Sequence, residues 1–331
     1  MTLTTTASRQ LCLYSLLCLS HHALGATRQP VSGTLDTPTA TTGWTSTTVQ
    51  HVYGLPGAKA KDRGSLSISR NSLVFAGKSS AATVQAESIL AVSSDNERVE
   101  LWGWKGRVLR MAIPNGGGLA AAAVMHHKVH MLTVEFNDSN GAYHSAVFFL
   151  PDTDAAAAVQ RIAALPPVSD ERATSSCTVG PIKPGTVRVL APTSSQLDVP
   201  AAYRGLVYER LIDRLRRTKG IQGVYRDGEQ LAVNECPQYT VDLSVASFRP
   251  GSQVKRSTMG PVGMFVGTTQ LTFDLRIVDS GVQPDYRAQV KATTRGESES
   301  LNVADGLAKK LVKQLTGLQK RTPDSHRASI I

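Results

Sequence analysis

The sequence predicts an α+β fold in two domains. The N-terminal domain is predicted to be an antiparallel β-barrel-like domain with a C-terminal helix, and the C-terminal domain a mainly antiparallel sheet with two helices. Three observations predict this fold. Apolar residues alternate with polar ones in short segments of both halves, as in half-buried strands. Asn140-Gly141, a pair suited to a tight hairpin turn, separates two such segments, and two later segments repeat apolar residues at helical spacing.

The N-terminal domain is predicted to span residues 47–165. Its strand segments are residues 66–68, 73–75, 88–92, 107–113, 129–136 and 143–150. The last two form a hairpin with a two-residue type I′ turn at Asn140-Gly141, which places His144 opposite Asn137. A helix over about 155–165, capped by Asp152 or Thr153, follows the hairpin.

This order of several antiparallel strands and one final helix resembles a pleckstrin-homology or GRAM-type barrel. Families with that barrel often bind lipid headgroups or peptides, so the resemblance implies a binding domain. A β domain used only for protein contact is the alternative. Trp102 and Trp104 flank Gly103 and share one face of an extended segment. They form either an aromatic contact patch or a pair in the barrel core.

The C-terminal domain is predicted over residues 186–318, after a Pro/Ser-rich linker at 166–185. A strand over 186–191 precedes a helix over 201–219, whose polar face is expected to carry Glu209 together with the basic residues. An extended segment at 223–226 and three alternating strands around 241–245, 271–277 and 288–292 come next, and a helix over 302–317 with Asn302 as its cap ends the domain.

The resulting order β-α-β-β-β-β-α resembles a family of small exported bacterial envelope proteins of unknown function. It is more distantly similar to the α/β domains of the curli secretion channel and of outer-membrane activators of cell-wall synthases. The residues that carry the resemblance are Ser247-Phe248-Arg249-Pro250-Gly251, Lys255-Arg256, Gly260, Gly263, Ile277-Val278-Asp279, Arg295-Gly296-Glu297-Ser298 and Ala308-Lys309-Lys310. The resemblance implies a non-catalytic, envelope-associated role and supplies no active-site residues.

Residues 1–25 are predicted to be a signal peptide, because an apolar run at 11–19 is followed by small residues at Ala23 and Gly25. The Thr/Pro-rich residues 26–46 then form a linker, and residues 319–331 a tail. Neither Cys12 nor Cys18 has the small preceding residue of a lipoprotein signal, which departs from the membrane-anchored relatives. Because of the predicted signal peptide, the protein is expected in the periplasm or outside the cell. No run of 18 apolar residues exists, so it is not expected to be a transmembrane protein.

Cleavage after residue 25 leaves two cysteines, Cys177 and Cys236. An oxidising compartment permits one disulfide between them, and two buried thiols are the alternative. Neither belongs to a Cys-x-x-Cys motif, which disfavours redox catalysis and a zinc knuckle.

The 331-residue chain has 36 Lys and Arg residues against 26 Asp and Glu residues, a formal charge of +10. The excess lies mainly in residues 170–331, with 23 basic and 16 acidic residues. In an exported protein this charge favours protein partners in the cell envelope, with anionic lipid or a cell-wall polymer as further candidates. The aromatic interleaving and groove expected of a nucleic-acid surface are not visible, so no nucleic-acid partner is expected. An oligomer is not excluded.

The motifs point away from catalysis and cofactors. Gly260, Gly263 and Gly267 resemble a phosphate loop only in their glycines, because no Lys-Ser/Thr follows them, and a β-bulge near Gly267 is the preferred interpretation. His130 and His144 lie too far apart along the predicted hairpin to share a metal ion. The sequence has no Gly-x-Ser-x-Gly or His-Glu-x-x-His motif. We therefore expect no enzyme activity, no cofactor and no metal.

The function expected from these observations is that of an adaptor or assembly factor acting through protein–protein contacts. A protein that binds lipid headgroups or anionic surfaces through the N-terminal domain is the alternative. The expected contact surface combines the hairpin at 249–267 with the basic face of the 201–219 helix. Its candidate residues are Arg249, Lys255, Arg256, Met264, Phe265, Arg210, Arg214 and Arg217.

Overall fold

The computed structural model describes residues 43–100, 126–165, 180–194, 199–231, 235–251, 268–280, 282–294 and 301–321, and these contain two β-sheets and three α-helices. The side chains of residues 96–100, 126–129, 282–284 and 321 are not described. All of these segments belong to one compact unit, Thr41–Ile331. The predicted α+β fold is confirmed, and the domain boundaries stay a prediction.

Seven strands form the N-terminal sheet, and every pairing among them is antiparallel. They are β1 (Trp44–Tyr53), β2 (Arg63–Ile68), β3 (Ser72–Gly77), β4 (Ala81–Gln85), β5 (Ile89–Glu100), β6 (His126–Asn137) and β7 (Tyr143–Leu150). Their order across the sheet is β4-β3-β2-β1-β7-β6-β5. The predicted strand at 107–113 lies outside the described residues, as do Trp102 and Trp104.

The N-terminal sheet is curled, because its two edge strands are neighbours in the chain. Only the short 3-10 helix Ala86–Ser88 separates β4 from β5, so the end of β4 lies within roughly 14 Å of the start of β5. In a flat seven-stranded sheet these edges would be roughly 29 Å apart. No ladder joins β4 to β5 in the part of the chain that the structure describes. The barrel-like domain is therefore a curled but open sheet.

Helix α1 (Asp152–Ala163) follows β7 and packs Ala155, Ala158 and Ile162 into the hydrophobic cluster of this sheet. It begins earlier than predicted, and Pro151 is its N-cap instead of Asp152 or Thr153. Pro151 makes no side-chain capping hydrogen bond, and its ψ of 153° is extended, as the backbone of an N-cap residue is. Acidic residues in the first turn then stabilise the positive end of the helix dipole.

The β6–β7 hairpin is confirmed, but the predicted register is wrong by one residue. His144 lies opposite Phe136 and not opposite Asn137. The carboxylate of Asp138 accepts hydrogen bonds from two backbone N–H groups of the turn, at 2.8 and 3.0 Å. This side-chain bonding stabilises a longer turn over residues 138–142 in place of the two-residue turn.

The second sheet contains β8 (Ile182–Val189), β9 (Thr193–Ser194), β10 (Gly223–Arg226), β11 (Cys236–Arg249), β12 (Thr269–Asp279) and β13 (Val282–Thr294). Its order is β10-β8-β11-β12-β13, with β9 beside β11. The three long strands β11, β12 and β13 pair antiparallel, as predicted. However, β8 runs parallel to both β10 and β11, so the sheet is mixed, although most of its paired residues belong to the antiparallel strands. The cause is helix α2 (Ala201–Arg216), which lies between β8 and β10 in the chain and provides the crossover that adjacent parallel strands require.

Helix α3 (Asn302–Arg321) packs beside α2 on the second sheet. Their apolar side chains and the sheet form one buried cluster, which also includes Met131, Tyr143 and Val147 from the N-terminal sheet. Helix α2 is therefore covered by the second sheet on one side and by β6 and β7 on the other. This two-sided packing explains why Glu209, predicted on a solvent-facing side, is 3% exposed. That prediction was wrong.

Candidate functional site

A buried ion pair joins the two sheets through α2. The carboxylate of Glu209 accepts hydrogen bonds from Nη1 and Nη2 of Arg226, on β10, at 2.8 and 2.7 Å. Glu209 also accepts the backbone N–H of Ser145, at 3.0 Å, and Arg226 donates to the Tyr143 carbonyl, at 3.0 Å. Burial disfavours the Arg226 cation, but the hydrogen bonds and charge of Glu209 outweigh this effect and raise the pKa of Arg226. Burial raises the pKa of Glu209, and the hydrogen bonds and charge of Arg226 oppose this shift. The pair ties β7, α2 and β10 together.

A cleft of about 470 Å³ lies beside this pair, with residues 54–58 and Ala60 on one side. His51 and His144 line it. Nε2 of His51 accepts a hydrogen bond from the backbone N–H of Leu55, and Nδ1 of His51 lies 2.9 Å from the carbonyl oxygen of Lys59. Burial, followed by the charge of Arg226, lowers the pKa of His144 to about 4. At neutral pH His144 is therefore uncharged.

The histidines whose side chains the structure describes are not gathered into a metal site. His130 lies 2.9 Å from Asp152, and His144 lies 3.4 Å from Asp138. His144 pairs with Phe136, six positions along β6 from His130, which is roughly 20 Å in a strand. Among the residues that the structure describes, no group of three His, Cys, Asp or Glu side chains could hold a metal ion.

Four basic side chains converge on a second cleft, between α2 and α3. Arg210 and Arg214 come from α2, Arg217 is the C-cap residue of α2, and Lys309 comes from α3. This basic cleft has a volume of about 470 Å³, and Tyr53, Thr218, Asp305 and Val312 complete its lining. Spacings of four and three residues place the three arginines along one side of α2. The packing of α3 beside α2 adds the lysine.

Tyr53 of β1 lines both clefts. Its hydroxyl donates to the carboxylate of Asp213 on α2. Burial, followed by the hydrogen bond and charge of Asp213, raises the pKa of Tyr53 to about 12, so the hydroxyl keeps its proton. The guanidinium carbon of Arg210 lies 5.4 Å from the centre of the Tyr53 ring. This cation–π contact helps to orient Arg210 toward the basic cleft.

Asp305, in the first turn of α3, is the carboxylate of the basic cleft. Nη2 of Arg214 donates to both of its oxygens, at 2.7 Å each, and Nη1 of Arg210 lies 3.5 Å from Oδ1. Burial raises the pKa of Asp305, but the hydrogen bonds and charges of Arg214 and Arg210 outweigh burial and lower the pKa below its ordinary value. Asp305 is therefore ionised at neutral pH and offsets one of the four positive charges.

The basic cleft offers more donors than Asp305 satisfies. Nε of Arg210 and Nε of Arg214 are buried, and neither has a hydrogen-bond partner in the described segments. The side chain of Arg217 is 73% exposed, its Nε donates to the carbonyl of Asp213, and its Nη2 lies 3.9 Å from the Asp213 carboxylate. Lys309 is exposed. The exposed side chains of Arg217 and Lys309 can bind the oxygens of an additional anion.

The structure brings together three of the predicted contact residues, Arg210, Arg214 and Arg217. Arg249 is the exposed last residue of β11 and does not line the basic cleft. The other four predicted residues, Lys255, Arg256, Met264 and Phe265, lie outside the described residues. Cys236 is disulfide-bonded, while Cys177 and the predicted signal peptide also lie outside the described residues.

Sequence reasoning missed Tyr53, Asp305 and Lys309 as parts of the cleft. The spacing of Asp305 and Lys309 was a usable signal, because residues four apart lie on one side of a helix. Nothing in the sequence indicated that this side of α3 faces the arginines of α2. For Tyr53, more than 150 residues earlier in the chain, there was no local signal.

None of the helices in the described ranges combines the length and apolar character of a membrane span.

No protein-family model matches the chain, and no curated protein matches it. Among solved structures, the chain is similar to a PelC dodecamer from Paraburkholderia phytofirmans at 18% identity, over 41% of this chain and 92% of that chain, with a TM-score of 0.25. A point variant of PelC from the same organism matches at 16% identity, over 42% and 95%, with a TM-score of 0.25. A structure described as an uncharacterized protein matches at 11% identity, over 42% and 94%, with the same TM-score. Similarity at this level carries no statement about function.

Proposed function

We propose that this protein is a non-catalytic, exported protein of the bacterial cell envelope that acts as an adaptor, and that its basic cleft binds an acidic segment of a partner protein. The convergence of Arg210, Arg214, Arg217 and Lys309 on one cleft carries this proposal. Export is supported by the apolar run and small residues within 1–25. A non-catalytic role is supported by the lack of recognisable enzyme motifs in the sequence.

The lining of the basic cleft favours a protein segment over a lipid surface. Surfaces that bind membranes combine basic residues with apolar side chains that insert between the lipids. Here Val312 is the one aliphatic residue among those that line the cleft, and it is partly buried. Acidic side chains on a peptide need only the charge and the N–H donors that the arginines supply.

The proposal is tested with a fluorescein-labelled hexaglutamate peptide, whose binding to the purified protein is followed by anisotropy. The test variant combines Arg217→Glu with Lys309→Glu, because the ion-pair partners of Asp305 in the described residues are Arg210 and Arg214. The control variant combines Arg287→Glu with Lys291→Glu on the exposed face of β13, which changes the net charge equally. The test variant should weaken binding by about two- to thirtyfold, since two exposed charge pairs contribute roughly 0.2–1 kcal/mol each and about 1.4 kcal/mol is tenfold.

Equal weakening in both double variants would show that binding depends on net charge alone, and the cleft would not be the site. Flotation with vesicles of phosphatidylglycerol and phosphatidylcholine tests the other class of partner. Vesicle binding without peptide binding would overturn the proposal and favour an anionic-surface binding protein. Peptide binding that only the test variant loses would support the adaptor.

A further inference from the structure

Asp305 is bound in the basic cleft in a way that leaves arginine donors unused. A planar guanidinium binds a carboxylate best through two parallel hydrogen bonds from two different nitrogens. Arg214 instead uses the single nitrogen Nη2 for both oxygens of Asp305, and its Nε has no partner in the described part of the chain. Arg210 lies at the longer distance of 3.5 Å, and its Nε is also without a partner there.

We propose that the basic cleft recognises a carboxylate side chain of its acidic partner, and that Asp305 occupies the carboxylate position as an internal competitor until the partner displaces it. This inference rests on the proposed function. It adds the chemistry of the recognised group, a carboxylate bound by Arg214 and Arg210, and a means by which the protein lowers its own affinity for acidic segments.

A carboxylate from another chain can reach a geometry that Asp305 does not adopt. The helical backbone of α3 fixes the approach of Asp305, whereas a side chain on a partner is not constrained in this way. Nε of Arg214 is buried, so the Arg214 side chain, which is 32% exposed, must turn toward solvent before a partner carboxylate binds its Nε and Nη2 edge with two parallel hydrogen bonds. Asp305 can leave without becoming a buried, unpaired charge, because its side chain is 43% exposed and solvent can hydrate it. Lys309, one turn later in α3, remains available to bind the same acidic segment.

The test is Asp305→Asn in the hexaglutamate anisotropy assay, with Glu235→Gln as the control. Glu235 pairs with Lys183 at 2.7 Å outside the basic cleft, and both substitutions raise the net charge by one. Asp305→Asn should lower the Kd about three- to fivefold, because a change of this size is equivalent to the binding free energy of one exposed ion pair. Glu235→Gln should change the Kd by less than about 1.5-fold, because screening weakens a distant charge. Circular dichroism verifies that each variant is folded.

A second variant assigns the effect to Arg214. Arg214→Lys keeps the positive charge but removes the planar fork. In combination with Asp305→Asn, it should abolish the tightening. Asp305→Ala should tighten binding as Asp305→Asn does, which guards against new hydrogen bonds from the asparagine amide.

The outcomes separate this inference from the proposed function. If Arg217→Glu/Lys309→Glu weakens binding but Asp305→Asn does not tighten it, Asp305 is not a competitor and the adaptor proposal stands. If Asp305→Asn and Glu235→Gln tighten binding equally, the effect is one of net charge and the inference is wrong. If neither the natural protein nor Asp305→Asn binds the peptide, both proposals fail.

Discussion

Replacing Arg226 with methionine should destabilise the protein far more than loss of an ordinary surface charge. Arg226 donates two hydrogen bonds to Glu209, at 2.8 and 2.7 Å, and one to the Tyr143 carbonyl, at 3.0 Å. The substitution leaves the Glu209 carboxylate, whose side chain is 4% exposed, with the Ser145 N–H as its remaining hydrogen-bond donor. Removing one partner of a buried ion pair costs about 3–5 kcal/mol.

Two further variants determine whether the loss comes from the unpaired charge. Glu209→Leu combined with Arg226→Met removes both charges, and it should recover most of the lost stability, because no uncompensated carboxylate remains. Arg276→Met provides the surface control, because Arg276 pairs with Asp285 at 2.7 Å with a half-exposed side chain. That change should cost less than about 1 kcal/mol.

Urea unfolding followed by circular dichroism measures these differences from the transition midpoints, provided that the denaturant slopes agree. A cost for Arg226→Met close to that of Arg276→Met would refute the reasoning, because the pair would then not be a buried tie between the sheets. Simple additivity of the two single variants, Arg226→Met and Glu209→Leu, would also refute it, because coupled charges give non-additive effects.

Two other predictions concern the contact between α2 and β7. Gly205→Ala should cost about 1–3 kcal/mol in urea unfolding, since the new Cβ would lie 2.0 Å from Oγ of the buried Ser145. Gly306→Ala in α3 is its control, and it should be neutral or stabilising because its nearest contact is 3.9 Å. The pKa of His144 is about 4 in the folded protein, below its ordinary value of 6.5, so the unfolded chain binds the extra proton and the stability falls as the pH decreases between these values. Urea unfolding midpoints at pH 6.5, 5.8 and 5 should show this decrease in stability. His144→Gln should reduce the slope of stability against pH, and the remaining slope is due to His51, whose pKa is also lowered. An unchanged slope would show that His144 is not the group responsible.

Much of the secondary structure could be predicted from the sequence, because it depends on patterns within a few residues. The alternation from Leu271 to Ile277 predicted β12 and its buried face. The helical spacing after Ala201 predicted α2. The register of the β6–β7 hairpin could not be predicted from its Asn-Gly pair alone, because the Asp138 side chain stabilises a different turn.

The sequence by itself determined that Arg210, Arg214 and Arg217 follow one side of a helix, since helical periodicity is a local property. Only the tertiary structure decided what surrounds them. The approach of α3 adds Lys309 and Asp305, and the approach of β1 adds Tyr53. The same packing buries Glu209 against Arg226, two residues on elements that meet only because the second sheet and the N-terminal sheet both cover α2. The exposure of a helix face depends on contacts between residues far apart in the chain, and the periodicity of the helix carries no information about them.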